Sequence, residues 1–176
     1  MTGRERPREP REAADAPVAV APPIVRNRKE HPFVGQVSFR GLRVDLENPR
    51  GGYREGVGDG GRKWRTYMRH HYGEIRRTKG ADGEAVDVYV GPDAASDRVF
   101  VVHQNDPTTG RYDEDKVLLG FDSRAAAVSA YMSQYDRPGF MGGVDELSFD
   151  EFKAFLAHQG NLGRKITAKG AARAAR

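Results

Sequence analysis

HHYGEIRRTKGADGEAVDVYV, residues 70–90, packs two tyrosines, a group of bases and four carboxylates into one segment that ends in an alternating strand. Arg76, Arg77 and Lys79 stand a few positions from Asp82, Glu84 and Asp87. Two readings of that juxtaposition are open: a solvated turn of mixed charge, or a site that holds metal cations and a polyanion together. The end of the stretch, AVDVYV, sets the local fold, because apolar residues at every second position face one side of a sheet.

Working outward, the neighbouring segments are also strand-like. Upstream, FVGQVSF and LRVDLEN flank Arg40-Gly41 and read as a hairpin. The run GGYREGVGDGG then contains G-x-G-x-x-G at Gly56, Gly58 and Gly61. A dinucleotide fingerprint needs a helix directly after the glycines. KWRTYM follows instead, with a period nearer two, so the glycines read as a flexible hairpin turn. Downstream, RVFVVHQ and RYDEDKVLLGF continue the strands. Only then do helices appear. SRAAAVSAYMSQY has Ser123 as N-cap, and SFDEFKAFLAHQG opens with a Ser148-to-Glu151 capping box and stops at Gly160. Strands first and helices last imply an α+β fold, with helices on one side of a small antiparallel sheet or barrel.

The 176-residue chain suffices for one domain with a real core. Residues 1–30 are rich in Pro, Arg, Glu and Ala and lack an apolar pattern, so a disordered N-terminal tail is expected there. Residues 31–161 form the expected ordered domain, and 162–176 read as a small, basic, flexible C-terminal tail. With no cysteine, disulfides, thiolate metal sites and cysteine nucleophiles are excluded together. The start has no signal-peptide core and no window is long enough to span a bilayer, so a soluble protein of the cytoplasm is expected, with no membrane partner. A net charge of +4, much of it in the tails, suits weak attraction to polyanions rather than specific nucleic-acid binding. An OB-like nucleic-acid binder would also need stacking aromatics on its face, and Trp64, Tyr67 and Tyr89 are too few.

Asp82 and Glu84 lie two apart and share a face in an extended segment, while Gly83 lets the chain turn to bring Asp87 toward them. Three hard oxygen donors suit Mg²⁺ or Mn²⁺. A second acidic group, Asp113, Glu114 and Asp115, precedes Lys116; with Glu47, at the end of the second strand, and Asp106, in the loop before this group, these are acids that a small barrel would carry to one mouth. Taken alone, that second group reads as a charged strand edge. Arg54, Lys63, Arg65, Tyr67, Tyr72, Arg76, Arg77 and Lys116 supply the cations and phenols that phosphoryl transfer requires. His70 and His71 are adjacent, so on a strand they point to opposite faces and make a poor zinc pair. No G-x-S-x-G or serine-histidine-acid grouping suggests acyl transfer.

The stretch YGEIRRTKGADGEAVDVYV resembles the signature of soluble family I inorganic pyrophosphatases, roughly Tyr-Gly-x-Ile-x-x-Thr followed by Asp-Gly-Asp-Pro-x-Asp-x-x-Val. ENP at 47–49 resembles their Glu-Ile-Pro, and DEDKVLLGF their Asp-x-Lys strand, in the same order. More specifically, the chain resembles the divergent pyrophosphatase-like domain of phages and polyvalent proteins. That resemblance implies a five-stranded, OB-like β-barrel with two C-terminal flanking helices, and Mg²⁺-dependent hydrolysis of pyrophosphate. It implies metal ligands at Asp82, Glu84, Asp87 and Glu47, with Asp106 and one or more of Asp113, Glu114 and Asp115 as further candidates. Glu84 falls where the family activates the attacking water, with Asp82 and Asp87 beside it. Tyr72, Lys116, Arg54 and Arg65 fall near substrate-binding positions, and Arg164 and Lys165 are candidates for the family's C-terminal lysine. Three departures stand out: Glu84 for Asp, Ala85 for Pro, and Glu114-Asp115-Lys116 for Asp-x-Lys. Two alternatives remain within this frame: a catalytically silent binding or virion-associated module, and a nucleotide phosphohydrolase. A homo-oligomer or a larger phage assembly fits the resemblance equally.

Overall fold

The computed structural model describes residues 32–135 and 137–176, so the expected N-terminal tail lies outside the described residues. Strands β1 (Gly35–Phe39) and β2 (Leu42–Asn48) form the first hairpin. Arg40 (φ 46°) and Gly41 (φ 88°) both take the left-handed conformation, which matches the strand twist as a type I′ turn. Among the described residues, β3 (Tyr53–Val57) and β4 (Lys63–Tyr67) pair only with each other and stand apart as a two-stranded ribbon, its glycine-rich turn placed as the spacing predicts. β5 (His71–Ile75), β6 (Asp87–Val90), β7 (Arg98–Asn105), β8 (Tyr112–Leu119) and β9 (Met141–Ser148) complete the main sheet. Its order is β1-β2-β5-β6-β8-β7-β9. All pairs are antiparallel except β6 with β8.

This α+β arrangement corrects two expectations. The sheet has seven strands and is open, not a closed five-stranded OB-like barrel. β9, a polar and glycine-containing segment, adds an unforeseen edge beyond β7 and leaves β1 and β9 at opposite ends. The helices also cover both faces rather than one. α1 (Arg124–Met132) packs Ala127, Ala130 and Tyr131 with Tyr72, Tyr89, Phe100, Val102 and Leu118. On the other face, Phe152 and Phe155 of α2 (Phe149–Ala157) and Ala171 of α3 (Ala168–Ala174) pack with Val88, Val90, Val101, Val117 and Leu119. Period-two alternation in β6 and β8 sends alternate residues into these two cores.

Helix α3 corrects a third expectation, since residues 162–176 are no loose tail. Ile166 is fully buried, and its backbone N–H donates to Asp115 Oδ2 at 2.7 Å. The Ala168 N–H donates to Asp145 Oδ2 at the same distance, so two carboxylates tie down the chain entering α3. Small residues hid this helix in the sequence, because its hold on the domain comes from Ile166, the buried Ala171 and a few backbone bonds rather than from a long apolar stripe.

The caps fall where the sequence places them. Ser123 Oγ accepts the Ala126 N–H, and the Ser148–Glu151 capping box closes in both directions at 3.2 and 2.9 Å. Gly73 is a steric requirement: a Cβ there would lie 2.0 Å from the Asp45 carbonyl oxygen, where β2 and β5 pair closely.

Candidate active site

Strands β6 and β8 run parallel with Asp87 opposite Lys116, on the face that carries α1. Lys116 Nζ contacts Asp87 Oδ2, lies 2.9 Å from Glu114 Oε1, and donates to Tyr72 Oη at 3.1 Å. Tyr72 Oη in turn donates to Asp87 Oδ2 at 2.8 Å. One ammonium therefore bridges two carboxylates from neighbouring strands, with a phenol from β5 closing the ring. From the ribbon, the Arg54 guanidinium lies over the Tyr72 ring, 4.6 Å from its centroid.

A second tier holds this group from the side. Gln104 Nε2 of β7 donates to Glu114 Oε1 at 2.9 Å. The Gln104 carbonyl oxygen accepts from Tyr131 Oη (2.8 Å) and Tyr135 Oη (2.6 Å). Sequence reading missed all three. The available signals were slight: a polar residue ending the apolar run of β7, and two tyrosines four apart along the α1 segment.

The electrostatics follow from crowding charge into a dry place. Burial, with the neighbouring Asp87 carboxylate adding to it and Lys116 opposing it, pushes the Glu114 carboxyl up to about 7. Burial works against the Lys116 ammonium, but Tyr72, Asp87 and Glu114 outweigh it and hold its pKa well above the usual lysine range. Burial likewise raises the Tyr72 phenol, which stays protonated as a donor. For Arg54, burial is again opposed, here by Tyr72, Tyr89, Tyr135 and Asp87, and the guanidinium is raised.

The remaining sequence candidates divide. Glu47 sits at a β-bulge, the register slipping between Leu46 and Asn48 next to Tyr72, a device that re-aims a side chain. Asp82 and Glu84 are exposed in the loop before β6, where Asp82 Oδ1 accepts the Glu84 N–H at 3.1 Å. Burial first, then Asp115 and more weakly Asp82, raise the phenol of Tyr112, which opens β8. Asp106 is occupied in the β7–β8 turn, accepting the N–H groups of Thr108 and Thr109. Asp113 is exposed. Asp115 faces the opposite side of the sheet, 2.6 Å from His103 Nδ1. Of the three acids before Lys116, the structure thus brings Glu114 to Asp87. Arg65 lies on the outer face of the ribbon, paired with Glu55 at 2.9 Å and stacked on Tyr53. Arg164 is exposed, whereas Lys165 Nζ lies 4.5 Å from the Tyr112 ring centroid.

The bases of the opening stretch have a structural purpose in part: Arg76 makes two bonds to the buried Asp45, at 2.8 and 3.3 Å. The two histidines diverge, His71 Nδ1 accepting the Arg50 N–H and His70 packing edge-on to Phe121. Among the described residues, no group of three or more His, Asp or Glu side chains is gathered to hold a metal ion. No helix among them is long and apolar enough to cross a membrane.

Paired carboxylates, a buried lysine, an arginine and protonated phenols on one face of an α+β sheet are the equipment of a protein that handles compact polyanions. The family model described as Inorganic Pyrophosphatase matches residues 26–157, more than half of the chain, and the chain belongs to that family. No curated protein and no solved structure matches it.

Proposed function

We propose that the protein hydrolyses inorganic pyrophosphate to two phosphates with Mg²⁺ as its cofactor. The observation that carries this reading is the Asp87–Lys116–Glu114 bridge, with Tyr72 and Arg54 beside it, in a chain of the pyrophosphatase family. The donor set fits a hard divalent cation, because Asp87 and Glu114 bring two oxygen-donor carboxylates to one place. The raised Glu114 carboxyl reflects burial and the neighbouring Asp87 charge. Asp87 and Glu114 would hold the ion, with Asp82 or Glu84 reaching in from the exposed loop and Glu47 from its bulge. When bound, Mg²⁺ supplies charge neutralisation at phosphate oxygens and acidifies water.

The chain's own residues do the rest. Lys116 and Arg54 stabilise charge on the departing phosphate, and Tyr72, through its bond to Asp87, holds that carboxylate in place. Gln104, fixed by two tyrosines, orients Glu114. Glu84, exposed in the loop before β6, receives the proton of the attacking water.

The test is phosphate release from pyrophosphate with Mg²⁺, with EDTA, and with Asp87→Asn. Release that needs Mg²⁺ and collapses in the variant is expected. A folded protein that releases none under any condition would overturn the reading.

A further inference from the structure

The β3–β4 ribbon presents two different faces. Directly opposed residues share a face, so Arg54 with Thr66 and Gly56 with Trp64 line one side, while Tyr53 with Tyr67 and Glu55 with Arg65 line the other. Arg54 reaches the Tyr72 ring of the site, which makes its side the inner one. Trp64 stands next along that inner face, toward the ribbon tip, about 7 Å from the Arg54 pair at the spacing of two strand residues. Its indole lies across Gly56, where a Cβ would come within 2.3 Å of the ring. The Arg54 guanidinium is 5.9 Å from the indole centroid and 4.6 Å from that of Tyr72.

Glycine at position 56 therefore lets the indole lie against the ribbon backbone, and 39% of Trp64 stays exposed. Bare pyrophosphate has no apolar surface and cannot use such a ring. A nucleoside phosphate can: with its anhydride among Lys116, Arg54 and Asp87, its ribose spans the gap and its base meets an aromatic plane. Base–aromatic stacking is tolerant of base identity, and Arg54 adds a cation shared between ring and phosphate. We infer that Trp64 is a base-stacking platform, and that the site also takes nucleoside di- and triphosphates, with Trp64 as the residue that separates them from pyrophosphate. The inference rests on the phosphate-binding reading of the site.

Trp64 is the single tryptophan of the chain, so its fluorescence reports the site without labelling. The full-length protein with Mg²⁺ is titrated with ADP and, separately, with imidodiphosphate, a non-hydrolysable pyrophosphate analogue, while calorimetry gives each Kd. ADP should change Trp64 emission saturably, with imidodiphosphate leaving it nearly unchanged. Trp64→Ala should weaken ADP about tenfold, within the usual range for loss of one stacking ring, and leave imidodiphosphate within about twofold. Trp64→Phe should recover most of the ADP affinity. ADP binding that leaves the emission unchanged, or a Trp64→Ala variant that weakens both ligands alike, overturns the platform while the phosphate site stands. A protein that binds neither ligand overturns both.

Discussion

Glu114→Gln in metal-free buffer gives the sharpest reading of the carboxylate pair. Glu114 holds its proton more tightly in the folded protein, at about 7, than at the ordinary value of 4.5. Between those values the folded state binds more protons than the unfolded one, so stability falls as pH rises. The shift amounts to about 3 kcal/mol, lost progressively from pH 4.5 to 7 and wholly absent above pH 8. For a domain of this size that is roughly 6–12 °C in Tm. Glutamine keeps the shape and the oxygen that accepts from Gln104 but has no charge to strand. Thermal unfolding in EDTA from pH 5 to 8 should show the wild type losing this increment, with the variant following a flatter curve and matching or exceeding the wild type at pH 8. Millimolar Mg²⁺ at pH 8 should stabilise the wild type and do much less for the variant, because the ion binds the folded, ionised pair. Parallel pH curves for the two proteins would refute the idea that Glu114 and Asp87 crowd one another.

Asp87→Asn removes the charge shared by Lys116 and Tyr72, and should cut pyrophosphate hydrolysis by roughly 10²-fold, the scale of one lost preorganised electrostatic contact; phosphate release measures it. Gly73→Ala forces a Cβ onto the Asp45 carbonyl and should destabilise the domain by about 3 kcal/mol or more, read from urea unfolding. Ile166→Ala empties a fully buried position under α3 and should cost about 2–5 kcal/mol, whereas a loose C-terminal tail would show no change in midpoint.

Much of the fold could be read from short-range chemistry. The Arg40-Gly41 turn, the Ser123 cap and the Ser148 capping box each depend on a few neighbouring residues, and each is where the spacing puts it. Asp87, Tyr72, Lys116 and Glu114 were similarly visible through the motif that contains them. The closure of the sheet was not, because whether β1 meets another edge depends on β9 and on helices covering both faces. The choice between Glu114 and Asp115 was legible in principle. Lys116 and Glu114 are two apart on one strand and must share a face, which leaves Asp115 for the other core. Gln104, Tyr131 and Tyr135 could not be found locally, since their role exists only once α1 lies across β7.

The opposition of Asp87 and Lys116 across the parallel pair has a consequence for how the sheet aligns. A slip of one residue would turn Lys116 into the valine-rich core beneath α2 and α3, an uncompensated ammonium in apolar surroundings. A slip of two would set Asp87 against Glu114 in one direction, like charge on like charge, or against the buried Leu118 in the other. Every neighbouring alignment is penalised by the same side chains that gather at the site. Substitutions that neutralise Asp87 or Lys116 thus relax a constraint on strand pairing as well as removing charge.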